Sequence, residues 1–443
     1  WIHDDGTEAT AKALRIVATM VDKARLDRPL DDLVFQVTPT AVVVGGGIAG
    51  IQAALDIAEA GHRVYLVERA PSIGGNMARL SETFPTLDCA QCTLTPKMVE
   101  VFQHPNVEVI TCAEVEAVEG YVGNFAVRIK RRPRHVDWDA CTGCGACIEK
   151  CPVKRIPSEF ECGLGLRPAI YTPFPQAVPN KPTIDAERCL WFGPPSKSGK
   201  PRCGVCVKVC PTNAIRFDDP GETIEVEAGA VVLATGYELY ERTNLPEYGG
   251  GKLPDVIDGL QFERLLSASG PTGGEVRRPS DGQPVKSVAF VQCAGSRDVN
   301  HRPYCSKVCC MYTAKHAMLF KHKVPEGEAF VFYIDLRHAG RDYEEFLVRT
   351  QEAGVRFIRG KAARVSACTD EIGEPGQLAV TAEDSLTRQL LQVPVDLVVL
   401  ATAMQPSAGI RELASALKVG LTPDGFLAEA HLKLRPVESM TTG

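Results

Sequence analysis

Positive charge is not in excess in this 443-residue chain: the formal net charge is −6, and no basic run occurs. Nucleic-acid binding leans on Lys and Arg against phosphate, so that class of function is disfavoured. No stretch of 18 uncharged apolar residues exists, and nothing reads as a membrane span. The start, "WIHDDGTEAT", opens with acids and lacks the layout of a secretory signal. A cytoplasmic protein is expected. Hydrophobic content of 44% and charged content of 23% are ordinary, and the length suits two to four domains. The chain begins with Trp and ends at "VESMTTG" in the middle of a pattern described below, which reads as a fragment of something longer.

Cysteine is what the chain has in plenty, with 17 residues. An odd, clustered set without a secretory signal favours metal ligation over disulfides. "CTGCGACIEKCP" supplies Cys141, Cys144, Cys147 and Cys151 in the spacing C-x2-C-x2-C-x3-C-P. In that bacterial run three thiolates hold one [4Fe–4S] cluster and the fourth reaches the other. The partner run is Cys189, then Cys203, Cys206 and Cys210 followed by Pro, with a 13-residue Gly/Pro/Ser-rich loop inserted after its first cysteine. Crossing the fourth ligands predicts one cluster on Cys141, Cys144, Cys147 and Cys210. The other would use Cys189, Cys203, Cys206 and Cys151. A pair of zinc sites is the alternative for such CxxC spacing. Cys162 between the runs reads as a structural thiol, and Cys112 and Cys368 as core.

"TAVVVGGGIAGIQAALDIAEAGHRVYLVER" is a βαβ unit. Strand Ala41–Val44 leads into Gly45, Gly47 and Gly50, a helix runs to about Ala60, and a second strand ends at Glu68. Glycines at this spacing let a pyrophosphate approach the helix N-terminus, while the terminal acid accepts from a ribose hydroxyl. Arg69 follows, and then Gly74–Gly75, a pair typical of FAD enzymes. "AGAVVLATGYE" closes a strand on Ala234–Thr235–Gly236, and "PVDLVVLATAMQP" repeats the device with Ala403 in place of Gly. Two such strands mark tandem dinucleotide-binding domains of the thioredoxin-reductase-like kind. The expected fold is α/β, with two Rossmann-type domains and an inserted two-cluster ferredoxin module. The expected map is an N-terminal helical remnant (1–38), a first FAD-binding part (39–137), the ferredoxin module (138–218) and a second FAD-binding part (219–278). A second Rossmann-like domain with cluster-binding cysteines (279–402) and a truncated return to the FAD domain (403–443) complete it.

Where the second domain would open with another glycine fingerprint, strand Ser287–Val291 runs instead into "QCAGSRDVNHRPYCSKVCCMYTAK". Only Gly295 remains of a nucleotide loop, so direct nicotinamide binding is not expected. Cys293, Cys305, Cys309 and Cys310 suffice for a cubane, with Cys305 and Cys309 expected one helical turn apart. Adjacent Cys309 and Cys310 cannot point the same way from one helix, so a distortion or a helix end is expected there. Zinc or inert thiols are the alternatives. Asp335 reads as structural. Arg297, His301 and Arg302 could tune a cluster or dock a partner, a solvated loop being the plainer reading. Cys89 and Cys92 are open between cluster ligation, a redox dithiol and two buried thiols.

The fingerprint at Gly45–Gly50, "FPTLDCAQCTLTPKM", the inserted ferredoxin and "YCSKVCCMYTAK" together resemble the heterodisulfide reductase A-subunit family over nearly the whole chain. The resemblance implies an oxidoreductase subunit holding FAD and three [4Fe–4S] clusters, with a fourth involving Cys89 and Cys92 if further ligands lie upstream. It implies that Lys315 faces the isoalloxazine, where an ammonium could stabilise anionic reduced flavin. It also implies electron bifurcation in a complex with heterodisulfide reductase B- and C-like subunits, a hydrogenase or formate dehydrogenase donor and ferredoxin. A homodimer inside that larger complex is expected. A pyridine-nucleotide oxidoreductase related to glutamate-synthase small subunits, and a wiring or assembly subunit with a structural flavin, are the rival readings.

Overall fold

The computed structural model describes residues 3–29, 34, 36–195, 199–441 and 443. Parts of the expected helical remnant (1–2, 30–33, 35) and of the loop inserted in the second cysteine run (196–198) lie outside the described residues. Two compact units result, one ending at residue 37 and one beginning at Thr38. Helix α1 (Gly6–Leu26) belongs to the first. Asp5 caps it by accepting from the Thr7 N–H at 2.8 Å, and none of its residues is buried.

The second unit opens with β1 (Thr40–Val44), α2 (Ile48–Glu59), β2 (Arg63–Glu68), α3 (Ala90–Gln103) and β3 (Val107–Thr111), followed by the hairpin β4 (Ala113–Tyr121) and β5 (Asn124–Arg131). The cysteine-rich insert carries short helices α4 (Ala146–Lys150) and α5 (Val205–Val209). Between them lie four two-residue strands, β6 (Ile156–Pro157), β7 (Leu166–Arg167), β8 (Ile170–Tyr171) and β9 (Thr183–Ile184). The chain then continues through β10 (Glu222–Ala228), β11 (Ala230–Leu233), β12 (Tyr237–Leu239), β13 (Val256–Asp258) and α6 (Gly259–Leu266). The remaining elements are β14 (Ser287–Ala294), α7 (Cys309–Lys323), β15 (Glu328–Tyr333), α8 (Tyr343–Glu352), β16 (Arg356–Arg359), β17 (Ala362–Ala367), β18 (Leu378–Asp384), β19 (Gln389–Val395), β20 (Leu397–Thr402), β21 (Met404–Pro406) and α9 (Ile410–Ala416).

Two halves repeat one plan. The first is a parallel sheet, β11-β1-β2-β3, beside an antiparallel sheet β10-β5-β4. The second is a parallel sheet, β13-β20-β14-β15-β16, beside β17-β18-β19. Parallel strands buried on both faces need continuous apolar runs, and β1, β14 and β20 supply them: Val42, Val43, Val288, Val291, Leu397 and Val398 are all fully buried. β12 and β21 pair antiparallel, Tyr237 opposite Pro406, joining the two halves. The insert enters after β5 and leaves before β10, which are themselves neighbours, so it leaves the antiparallel pair intact. The fold is thus α/β, with two parallel Rossmann-type sheets and an inserted cysteine-rich module.

Two expectations change. β13 and α6 were assigned by sequence to the second FAD-binding part, but Val256–Asp258 pairs parallel with Val398–Leu400 of the second sheet; a three-residue strand carries too little periodicity to be placed from sequence. The strand of "AGAVVLATGYE" is β11, ending at Leu233 just before Ala234–Thr235–Gly236, where Gly236 takes φ +70°. Cys368 is not core: it follows the end of β17 and is half-exposed, whereas Cys112 is buried.

An ion pair ties the insert down. Arg264 of α6 donates to both carboxylate oxygens of Glu161, at 2.8 and 3.2 Å, and to the Arg79 carbonyl at 3.2 Å. Its guanidinium also lies over the Phe160 ring.

A dinucleotide cradle and three cysteine cages as the candidate functional site

β1 delivers Gly45 to the end of the parallel sheet at φ +111°, a conformation open to glycine. A side chain there would collide with the Ala234 carbonyl, because β11 runs alongside and the Ala234 N–H donates to the Val44 carbonyl at 2.8 Å. Gly50, one turn into α2, would drive a Cβ into the Gly45 carbonyl. Gly47 is different. A Cβ there meets no protein atom within 4 Å, so the open space above the helix N-terminus is what a bound group would fill.

Gly74 donates its N–H to the Gly46 carbonyl at 2.7 Å, and a Cβ on Gly75 would sit 2.9 Å from the Gly47 Cα. The Glu68 carboxylate accepts from the Gly46 N–H at 2.6 Å and the Ala70 N–H at 2.8 Å. Its burial raises its pKa, against those two donors. Gly45, Gly47, Gly50, Glu68, Gly74, Gly75, Ala234, Thr235 and Gly236 therefore gather at one end of one sheet, a shape that fits a dinucleotide. Arg69 turns aside: it pairs with Glu238 at 3.0 Å and donates to the Ala408 carbonyl at 3.3 Å.

In the insert each short helix holds the third cysteine of its run inside it and the fourth at its C-cap: Cys147 and Cys151 on α4, Cys206 and Cys210 on α5. The two helices pack together, and the runs cross. Cys141, Cys144, Cys147 and Cys210 line a single cleft. In the second set, Cys189 feels the charges of Cys151 and Cys203, and Cys206 those of Cys189 and Cys203. Burial first, then Cys141 and Cys144 beside Cys147 and Cys189 and Cys203 beside Cys206, push both thiols up to about 11, so a metal must displace protons to bind. Among the described residues no three Cys, His, Asp or Glu side chains converge as they would around one ion. Cys210→Ser is expected to damage the cluster of the first run, Cys141 to Cys147, and to leave that of Cys203 and Cys206. EPR of the reduced, iron-loaded chain checks this, and loss confined to the second run would refute the crossing.

The third cage sits at the end of β14. That strand continues to Ala294 through a bulge between Val291 and Ala294, and Cys293 adopts φ +57° within it. A bulge re-aims side chains, here turning Cys293 toward α7. Cys309 and Cys310 are the first two residues of α7, so the expected helix end is where they stand. Cys305 is not a helical turn below Cys309. It lies in the preceding loop, exposed, with its sulfur accepting from the Lys307 N–H at 3.3 Å. Sequence spacing suggested a longer helix because "CSKVCC" contains no breaker. Cys293 is nonetheless an electrostatic neighbour of both Cys310 and Cys305, and burial with these pushes its thiol up to about 11.

One helix carries both this cage and Lys315. Lys315 is 1% exposed, which excludes a solvated helix lysine. Its Nζ donates to the Glu82 carbonyl at 2.8 Å and pairs with the Glu263 carboxylate of α6. His316 Nε2 bonds the same carboxylate oxygen at 2.6 Å, while Glu263 Oε2 accepts from the Ser81 N–H and hydroxyl at 3.0 and 3.1 Å. Burial would raise the Glu263 carboxyl, but the Lys315 ammonium and His316 hold it well below the usual carboxylate range. Burial lowers the His316 pKa and favours its neutral form. Glu263, Ser81 and His316 carry no sequence motif, and a Glu amid an amphipathic helix gives no signal of being buried.

Cys89 and Cys92 are neither separate nor buried: they are paired as an exposed disulfide at the start of α3, and the Cys92 N–H donates to Cys89 Sγ at 3.2 Å.

Comparison with known proteins places the chain in a family. A family described as FAD dependent oxidoreductase matches residues 41–143, and one described as 4Fe-4S binding domain matches residues 134–154 and 202–216. The chain is 46% identical over its whole length to the A-subunit of the H(2):CoB-CoM heterodisulfide,ferredoxin reductase of Methanothermobacter marburgensis. It covers 65% of that relative's length. It is 47% identical, again over its whole length, to a heterodisulfide reductase A-subunit-like protein of Archaeoglobus profundus, of which it covers 67%. A T. acidophilum thioredoxin reductase crystal structure overlaps 92% of the chain and 91% of its own, with a TM-score of 0.45 at 12% identity. Flavin and iron–sulfur modules in one chain, and sequence identity along all of it, lead to one conclusion: the chain belongs to the heterodisulfide reductase A-subunit family.

Proposed function

We propose that the chain is the FAD- and iron–sulfur-containing, electron-bifurcating subunit of a heterodisulfide-reductase-like oxidoreductase complex. It would pass electrons between a hydrogenase- or formate-dehydrogenase-type donor, a disulfide-reducing partner with B- and C-like subunits, and ferredoxin. A cytoplasmic location and a homodimer within that complex belong to the same reading. The observation that carries it is the cage of Cys293, Cys305, Cys309 and Cys310, standing where a nicotinamide-binding domain would place its glycine loop.

When bound, FAD supplies two-electron chemistry and the clusters one-electron chemistry. The chain's own residues divide the work. Gly45, Gly47, Gly50, Glu68, Gly74, Gly75 and the Ala234–Gly236 turn would hold the dinucleotide. Lys315, buried against the Glu82 carbonyl and paired with Glu263 of α6, would offer the flavin a donor. The cage cysteines would keep a cluster on the same helix, and the eight cysteines of the insert would hold two more, forming an outward path. Cys89 and Cys92, once reduced, would join a fourth cluster only with further ligands from upstream, and iron beyond about twelve per chain would implicate them. About twelve iron per chain would match three cubanes.

Anaerobic iron loading and flavin spectroscopy of the full chain test this. Cys309→Ser is expected to lower the iron count by about four, and NADPH alone is expected to leave the flavin oxidised. Flavin bleaching by NADPH would overturn the reading in favour of a pyridine-nucleotide oxidoreductase. A flavin that stays inert through a full redox titration would favour a wiring subunit.

A further inference from the structure

Arg297, His301 and Arg302, in the loop before α7, differ sharply in what they face. His301 Nδ1 meets the Tyr240 hydroxyl at 3.1 Å, and Arg302 donates to the Gln405 side chain at 2.9 Å while lying over the Tyr240 ring. Both are occupied away from the cysteines. Arg297 is turned inward. Its backbone is left-handed at φ +56°, and its N–H donates to the Tyr304 carbonyl at 2.9 Å. Such a conformation in a residue with a Cβ costs energy and persists where surrounding contacts enforce it.

The guanidinium of Arg297 is then an electrostatic neighbour of Cys293 and Cys305, Cys293 lying one tight turn back, where its carbonyl accepts from the Ser296 N–H at 3.2 Å. From the other side it is held by Asp335, Nη1 to Oδ1 at 2.7 Å. The same carboxylate takes Arg337, Nε to Oδ1 at 3.1 Å and Nη2 to Oδ2 at 3.3 Å. The Cys310 thiol donates to the Asp335 carbonyl at 3.9 Å. One carboxylate thus sits between two guanidinium groups at the edge of the cage, leaving a net positive charge beside three of the four sulfurs.

We infer that Arg297 sets the reduction potential of the cluster held by Cys293, Cys305, Cys309 and Cys310, with Asp335 as its counterweight. The inference rests on the proposal above that these four cysteines bind a cluster. Reduction adds one negative charge to the cage and makes or breaks no bond to these side chains. A guanidinium beside the cage stabilises that added charge and raises the potential, and the carboxylate paired with it offsets part of that effect. Asp335 is 41% exposed and Arg297 26%, so water screens part of each effect. Positioning and tuning, rather than ligation, is the role of both.

The test is an EPR-monitored redox titration of the full chain, loaded anaerobically with iron and sulfide. Arg297→Gln is expected to lower one cluster potential by about tenfold in the one-electron equilibrium, or about 59 mV. Asp335→Asn is expected to raise the same potential, and Arg297→Lys to leave it nearer the parent value. The insert's two potentials serve as the internal control and should not move. A structural disturbance would not produce shifts of opposite sign from two touching residues. Unchanged potentials, or shifts of one sign in both variants, would overturn the inference. Should Arg297→Gln fail to retain the cluster, Asp335→Asn and Arg297→Lys decide the matter. If Cys309→Ser loses no iron relative to the parent chain, it is the cluster assignment itself that fails.

Discussion

Lys315→Ala is expected to cost about 3–5 kcal/mol of stability, because it leaves the Glu263 carboxylate buried with its main positive partner gone. Glu263 and Lys315 side chains are each only 2% exposed, so water does not replace the lost ammonium. The sign of the pH dependence follows. The depressed carboxyl of Glu263 contributes stability above its unfolded pKa of about 4.3, and that contribution disappears as pH falls through the folded value. Without Lys315 the folded pKa rises, so the deficit should be largest near pH 7 and shrink as the pH approaches 4. Urea unfolding at several pH values measures this. A deficit independent of pH would mean that the pair contributes only packing.

That cost complicates any activity assay on Lys315→Ala, and a second variant separates the two effects. Lys315→Met with Glu263→Gln removes both charges together and should recover much of the stability, since an uncharged buried pair carries no unpaired ion. If the double variant folds, binds flavin and still loses ferredoxin reduction in the full complex, the ammonium has a role at the flavin. Unchanged ferredoxin reduction in either variant would end that role.

Gly50→Ala and Gly47→Ala should part company. In an ordinary helix, Gly→Ala stabilises by about 1 kcal/mol. At Gly50 the added methyl meets the Gly45 carbonyl, a backbone atom that cannot rotate away, so the sign reverses and about 1–3 kcal/mol or more is lost. Flavin should be lost with it. At Gly47 the methyl meets no protein atom, so thermal stability of the flavin-free chain should match the parent while flavin binding falls. Flavin content and melting temperature, read together, check both. Full flavin retention in Gly47→Ala would show that the space above α2 is not where the pyrophosphate lies.

How much of this was visible in the sequence depends on how local each signal is. The glycines of the fingerprint and the two ferredoxin runs are short, fixed spacings, and the structure gathers them as those spacings suggest. The crossing of Cys210 toward Cys141, Cys144 and Cys147 was legible for the same reason. Pairings across long separations were not. Glu263 and Lys315 are 52 residues apart, and Glu161 and Arg264 are 103. No periodicity announces either. β13 was misassigned because three residues cannot show a period, and Cys305 was placed on a helix because nothing in "CSKVCC" forbids one. The bulge that turns Cys293 inward depends on tertiary packing of an otherwise continuous strand.

Helix α7 has a consequence of another kind. Cys309 and Cys310 open it and Lys315 lies further along the same helix, with no flexible joint between them. At 1.5 Å and 100° per residue, one inserted residue would carry the lysine about a quarter-turn round the axis and away from α6. The cage and the charge are therefore indexed to each other like marks on one ruler. The number of residues between the marks is what turns Lys315 toward Glu263 of α6.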